Sequence, residues 1–322
     1  LLGYDNPTRA LLTVVKELID NSLDACEEAR ILPRIWVIVK QVGPDRYRVM
    51  VKDNGPGIVD KQIPFALGKL LYGSRFFKLV QSRGQQGLGG SGAILYAQLT
   101  TGKPTTIISS TGNGKTSFYE LMIDIKKNEP EIISHQYIED GRVWHGLKIE
   151  MEIEGRYVES KQSIPRYIRE IAIANPYAEI IFEGPNGKME FPRGANELPP
   201  LPREIKPHPH GIELGMLRRM LKHTKSRTIL SFLMKDFSRV GVNSAKEMCK
   251  LAGIDPKISP SRLGGDETEK LFKAMRKVKL VRPPTDCLSP LGEDLIVKGL
   301  KKEIKAEFYT AVTRPPTAVS YT

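Results

Sequence analysis

Glu17-Leu18-Ile19-Asp20-Asn21-Ser22-Leu23-Asp24-Ala25 lies inside a run from Ala10 to Ala29 that holds neither Gly nor Pro. Asn6-Pro7 ahead of it is a helix start signal. An Asn side chain can accept from open amides, and Pro fits the first helical position. Pro33 stops the run. Leu11, Val15, Leu18 and Ser22 keep helical spacing, with Leu12, Ile19, Leu23 and Cys26 widening the apolar side. Glu17, Asn21 and Asp24 follow one another at four and then three residues, so the predicted helix stacks them on one stripe. Alone, such a stripe is more often an ordinary wet face.

Two further stretches change that. Ile35 to Lys40 and Tyr47 to Asp53 are β-rich runs around Gly43-Pro44, which predicts a hairpin. The second run ends on Asp53-Asn54-Gly55-Pro56-Gly57-Ile58, a carboxylate beside a backbone without side chains in the way. That suits an adenine ring, whose exocyclic amine a carboxylate can accept; taken alone it is a plain turn. Gly84 to Gly92 then holds five glycines in nine residues, Gly84-Gln85-Gln86-Gly87-Leu88-Gly89-Gly90-Ser91-Gly92. Such a run can turn its amides inward around phosphate, with a helix from Ala93 to Leu99 pointing its positive end at the same anion. Thr111-Gly112-Asn113-Gly114-Lys115-Thr116 imitates a Walker loop, but Ser109 stands where that loop needs Gly, so a hairpin turn is expected.

In this order the pieces resemble the Bergerat-fold (GHKL) ATPases: gyrase, the MutL proteins, the ninety-kilodalton heat-shock chaperones and the histidine kinases. Within that group the wording is most similar to the topoisomerase VI B-subunit family, of archaeal-type type IIB topoisomerases. Leu71-Tyr72-Gly73-Ser74-Arg75, Arg83 to Gly89 and Gly292-Glu293-Asp294-Leu295-Ile296 add to it, so the resemblance runs nearly end to end. The resemblance implies that Glu17 is the general base orienting the attacking water. It implies that Asn21 offers an oxygen to Mg²⁺, which keeps several waters and takes one or two protein oxygens. Asp53 would hold the adenine amine, with Gly57 beside it. Ser74, Arg75, Gly84, Gln85, Gln86, Gly87, Leu88, Gly89, Gly90 and Ser91 would wrap the phosphates, and Asp24 would steady the pocket. Two departures stand out. Leu147 follows His145-Gly146 where the family often has Thr, which places more of the base recognition on Asp53. Gly89-Gly90-Ser91-Gly92 replaces bulkier residues, which is expected to loosen the lid.

Composition bounds the rest. The chain has 322 residues, 40% hydrophobic and 7% aromatic, which fits two or three globular domains. No apolar run approaches the ~20 residues of a membrane span. Cys26, Cys249 and Cys287 form no close pair, which fits a reducing, cytoplasmic setting. His208 and His210 flank Pro209 in a linker and read poorly as metal ligands. The formal charge is +12, and residues 207–284 carry 17 Lys and Arg against 7 Asp and Glu. A basic segment beside a near-neutral remainder points to an anionic polymer as its partner, or to a basic surface that is merely solvated.

Strands expected at Thr105 to Ser109, Ser117 to Asp124, Leu147 to Ile153 and Ala178 to Phe182, with a helix from Lys161 to Ala174, alternate irregularly. They predict an α/β, two-layer α+β sandwich with a mixed sheet, and the resemblance implies that residues 1–206 are the Bergerat ATPase domain. Pro199, Pro200, Pro202, Pro207 and Pro209 mark a linker. Residues 207–284 read as short helices, Ile212 to Leu221, Ile229 to Phe237, Ser244 to Ala252 capped by Asn243, and Thr268 to Val278. The Phe237 to Ala245 stretch resembles a helix-two-turns-helix module, expected to hold DNA through phosphate contacts. Residues 285–322 resemble the opening of the transducer domain. The start without Met and the ending at Thr322 read as a fragment. The family's transducer lysine and N-terminal arm would lie outside it, so slow turnover and poor dimerisation are expected.

The function implied is the ATP-hydrolysing subunit of a type IIB topoisomerase, with ATP and Mg²⁺ as cofactors. ATP-dependent homodimerisation would gate double-stranded DNA through a break made by the topoisomerase VI A subunit, in an A2B2 heterotetramer. The alternatives are a MutL-like clamp and a histidine kinase, which would need a phospho-acceptor helix not found here.

Overall fold

The computed structural model describes residues 3–72, 80–84, 88–138, 144–160 and 163–316. In chain order the helices and strands are α1 (Pro7–Glu28), β1 (Arg34–Gly43), β2 (Arg46–Asp53), α2 (Ile63–Gly68), α3 (Gly89–Thr101), β3 (Thr105–Thr111), β4 (Thr116–Asp124), β5 (Glu129–Ile138), β6 (His145–Glu154), α4 (Ile164–Ala174), β7 (Glu179–Gly184), β8 (Gly187–Phe191), α5 (Leu214–His223), α6 (Ile229–Asp236), α7 (Val242–Ala252), α8 (Gly265–Lys277) and α9 (Glu293–Glu303). They divide into two units. One takes in the described residues up to Tyr72, Ser82–Leu201 and Pro290–Thr313; the other centres on Pro202–Ser289.

The first unit is built on one eight-stranded sheet in the order β5-β4-β3-β6-β2-β1-β7-β8. Neighbours run antiparallel except β1 and β7, so the sheet is mixed, as the irregular alternation predicted. Its inward face carries the apolar half of each strand: Ile35, Val37 and Val39, then Val49 and Val51, then Ile149, Met151 and Ile153. Against them lie Leu11, Val14 and Leu18 of α1, Ile94 and Ala97 of α3 and Ile168 of α4. The outward face is charged instead. Arg34–Glu179 and Lys40–Glu183 pair across strands at 3.1 and 3.2 Å, and the Lys52 ammonium lies 5.3 and 5.0 Å from the Trp36 and Trp144 ring centres. Such exposed pairs contribute little stability, about 0–1 kcal/mol each; what they mark is a wet face.

The long helix starts where the sequence places it, with Asn6 Oδ1 accepting from the Thr8 amide at 2.8 Å. Other boundaries differ. The helix expected from Ala93 begins at Gly89 and runs to Thr101, closed by Gly102 at φ +67°. Gly89, Gly90, Ser91 and Gly92 therefore form its first turn, not part of a loop, because close packing there outweighs their weak propensity. The helix expected from Lys161 begins at Ile164, with Pro165 in its first turn, and Lys161 lies outside the described residues. The α2 helix and β5 were not expected. As an outer strand of the sheet, β5 has no buried position and so lacks an apolar alternation to read.

The second unit has its own core, including Leu217, Phe232, Leu233, Met248, Leu271 and Met275. Thr228 caps α6 by accepting from the Ser231 amide at 3.1 Å. The α7 helix starts two residues before Ser244, with Gly241 rather than Asn243 at its cap, and Gly253 ends it at φ +67°. His208 and His210 face the Val281 and Val278 carbonyls at 3.2 and 2.9 Å.

Candidate functional site

In the first unit, α1, the end of β2 and the start of α3 enclose a cavity of about 580 Å³. Its wall includes Glu17, Asn21, Asp53, Gly57, Gly84, Leu88, Gly89, Gly90 and Ser91, together with Leu147. Three stretches far apart in sequence thus meet at one hollow. Ser74, Arg75, Gln85, Gln86 and Gly87, also expected at the site, lie outside the described residues.

Asp53 is deeply buried, only 3% exposed. Its Oδ1 accepts from the Gly55 and Leu147 amides at 2.8 and 3.1 Å, and its Oδ2 from the Ser22 hydroxyl at 2.9 Å. Burial pushes its carboxyl above the usual carboxylate range, and these three bonds, with His145 nearby, pull the other way. The β6 backbone can come this close because residue 146 is Gly: at φ +142°, a Cβ there would stand 2.1 Å from the Asp53 carbonyl oxygen. Gly57, at φ +69°, would likewise place a Cβ 2.2 Å from the Ser110 carbonyl oxygen. Leu147 contributes its amide to the site, a role independent of which side chain stands there.

On α1, Glu17 and Asn21 line the hollow, whereas Asp24 of the same stripe does not. Burial raises the Glu17 carboxyl; Lys16 opposes this and Asp20 adds to it. Asn21 lies between two glycines, its Oδ1 3.5 Å from where a Gly84 Cβ would be and its Nδ2 3.3 Å from that of Gly90. Asp24 holds the chain entering the loop, accepting from the Arg83 and Gly84 amides at 3.0 and 3.3 Å.

Three contributors escaped the sequence reading. Ser22 was taken for part of the apolar side, and a hydroxyl among Leu18, Ile19 and Leu23 was the available signal. Arg83 precedes the glycine run and pairs with Asp24 and Glu27, which lie three apart on α1. Tyr4 lines the cavity and stacks on Tyr96 at 4.9 Å between ring centres. Chemically, the hollow offers a buried acceptor at one end, a carboxylate and an amide in its wall, and the amides of a helix N-terminus. That set fits a ligand with an amine at one end and an anion at the other.

The family described as "Histidine kinase-, DNA gyrase B-, and HSP90-like ATPase" matches residues 6–126, and "Topoisomerase VI B subunit, transducer" matches residues 283–322. The chain is 50% identical over 323 residues to the B subunit of type 2 DNA topoisomerase 6 from Methanococcoides burtonii, covering 99% of this chain and 52% of that protein. The like-named protein of Archaeoglobus fulgidus is 50% identical over 326 residues, covering 99% and 53%. That of Thermococcus onnurineus is 39% identical over 366 residues, covering 99% and 65%. The chain thus spans about half the length of the first of these relatives. Among the described residues no helix is long and apolar enough to cross a membrane.

Proposed function

The chain belongs to the topoisomerase VI B-subunit family, and from that premise we propose that it binds and hydrolyses ATP to drive a type IIB topoisomerase. The observation that carries this reading is the convergence of Glu17, Asn21 and Asp53 with the first turn of α3 on one cavity. Its volume, about 580 Å³, lies in the range of small-molecule pockets, ~300–1,000 Å³.

In this reading Asp53 accepts the adenine amine on Oδ2, the oxygen with only one donor among the described residues. Gly57 lets the base lie against the main chain. The amides at the start of α3 and the Gly84 backbone take the phosphates, where the helix dipole favours negative charge. Glu17 accepts the proton of the attacking water, and its raised pKa makes it a better base than an exposed Glu. Asn21, facing the same end of the cavity from one turn further along α1, would hold Mg²⁺ through Oδ1. Bound there, the ion would neutralise phosphate charge and orient the terminal phosphoryl group.

The proposal extends to the whole assembly. Residues 1–206 would act as the ATPase domain, residues 207–284 as a basic DNA contact and residues 285–322 as the start of the transducer. Two copies of the ATPase subunit would close on ATP, gating duplex DNA through a break made by the cleaving A subunit in an A2B2 complex.

The deciding test is calorimetric titration of a non-hydrolysable ATP analogue with Mg²⁺ into wild type and Asp53→Asn, with melting curves as the fold control. An amide nitrogen facing the adenine amine sets donor against donor, so affinity should fall about tenfold or more. A wild type that does not bind the analogue, or a folded Asp53→Asn that binds it equally well, overturns the reading. Copurification of a cleaving subunit separates a topoisomerase from an ATP-switched clamp.

A further inference from the structure

The Tyr4 hydroxyl is buried and has no hydrogen-bond partner among the described residues. An unmatched buried donor is costly, and one beside a cavity can be matched by what fills the cavity. The ring that carries it is well fixed. It stacks on Tyr96 of α3 with ring centres 4.9 Å apart and planes at 25°. Tyr96 is anchored in turn, donating from its hydroxyl to the Glu154 carbonyl at 3.1 Å. The backbone just before Tyr4 packs on α1, where a Cβ at Gly3 would stand 2.5 Å from Thr13 Oγ1. Tyr4, Thr13 and Glu17 all line the cavity, the last two one turn apart on α1.

The first turn of α3 sets the distance between the hydroxyl and the proposed base. A Cβ built on Gly92 would lie 3.8 Å from the Tyr4 hydroxyl, and one built on Gly89 would lie 2.1 Å from Glu17 Oε2. The two groups thus rest on one helix at positions three residues apart, whose Cβ atoms are about 5–6 Å from each other on one face. A single water spans such a gap with two hydrogen bonds of ~2.8 Å. Burial, with the Glu17 charge nearby, raises the Tyr4 phenol, so it keeps its proton and is available as a donor.

We propose that Tyr4 is a second catalytic residue, whose hydroxyl donates to the oxygen of the hydrolytic water while Glu17 accepts that water's proton. This rests on the ATP reading of the cavity and adds a residue to it. One hydrogen of the water points to Glu17, one lone pair is taken by Tyr4, and the other is left for the terminal phosphorus. As the oxygen–phosphorus bond forms, the bond to the leaving ADP oxygen breaks, the proton passes to Glu17 and Tyr4 keeps its own. The hydroxyl meets water and not the nucleotide, so it bears on rate and not on binding.

The test is Tyr4→Phe in the full chain, which keeps the stacked ring and removes only the hydroxyl. Single-turnover ATP hydrolysis, with protein in excess, should slow about tenfold on losing one hydrogen bond to the reacting water. Calorimetric affinity for a non-hydrolysable ATP analogue with Mg²⁺ should hold. The nucleotide-free variant should melt no lower than wild type, because the hydroxyl it loses has no partner among the described residues. Tyr96→Phe removes the neighbouring hydroxyl, which Glu154 already satisfies, and should leave the hydrolysis rate unchanged. An unchanged rate in a folded Tyr4→Phe overturns the assignment. So does an equal loss of analogue affinity, which would put the hydroxyl on the nucleotide, or a lower melting temperature, which would give it a structural partner. The same slowing in Tyr96→Phe would make the effect one of ring packing and overturn it too. A wild type that does not bind the analogue, or binds it without hydrolysing ATP, removes the ATPase reading and this proposal with it. A wild type that does both, matched in rate by Tyr4→Phe, removes the proposal alone.

Discussion

The Glu17 carboxylate rests against Gly89: a Cβ built on residue 89 would stand 2.1 Å from Glu17 Oε2 and 3.1 Å from its Cδ. A methyl group at residue 89 would displace the flexible end of the proposed base on α1 from the first turn of α3. A glycine at this first helical position keeps the base in place, although propensity alone would start the helix later.

Gly89→Ala should therefore move the base without touching its chemistry. A displacement of about 1 Å at the reacting centre can lower the rate on the order of 10²-fold. Steady-state ATPase assays should show that loss in kcat, with analogue affinity by calorimetry changed far less. Equal kcat in a folded variant would mean that the contact has no part in turnover.

The acid limb of the pH–rate profile tests the protonation of Glu17. Burial raises this carboxyl, and the base acts only when deprotonated, so kcat should rise with pH through a value above the ordinary ~4.3 of a Glu. Glu17→Gln should abolish that limb and lower kcat by about 10²–10⁴-fold while the analogue still binds. A limb surviving in Glu17→Gln would assign it to another group.

The same shift has a stability consequence of defined sign. A carboxyl whose folded pKa is raised favours folding while protonated. That contribution is fully present below the unfolded pKa and is lost as pH rises through the folded one. Glu17→Gln carries no such loss, so it should melt higher than wild type at neutral pH, with the gap closing in acid. A constant gap from about pH 3 to 8 would contradict the raised pKa.

The legible parts of this molecule were those where one local rule acts alone. The α1 stripe follows from spacing, and its capped start from Asn6-Pro7. The approach of β6 to Asp53 was not legible, because it depends on a hydrogen bond between residues 53 and 147, brought together by the pairing of β2 with β6. Ser22 looked like a member of an apolar stripe, and only the fold reveals that the strand end beneath it is a carboxylate. The outer strand β5 went unread for the opposite reason. Its residues, among them Ile132 and Ile133, are half exposed and show no one-sided burial.

The crossing of α9 over α4 offers a last measurement. Gly299, buried in the interior of α9, lies so close to α4 that a Cβ there would stand 2.1 Å from the Ile173 carbonyl oxygen. In an exposed helix, Gly→Ala gains about 1 kcal/mol of propensity. Here the methyl group would meet backbone, which cannot rotate away, and overpacking of this kind costs about 1–3 kcal/mol. The second effect should win, so Gly299→Ala should lower the melting temperature and open Pro290–Thr313 to limited proteolysis before the rest of its unit. A Gly299→Ala chain that melts higher, with Pro290–Thr313 still protected, would mean that propensity governs here and that the close crossing is not what holds α9 on α4.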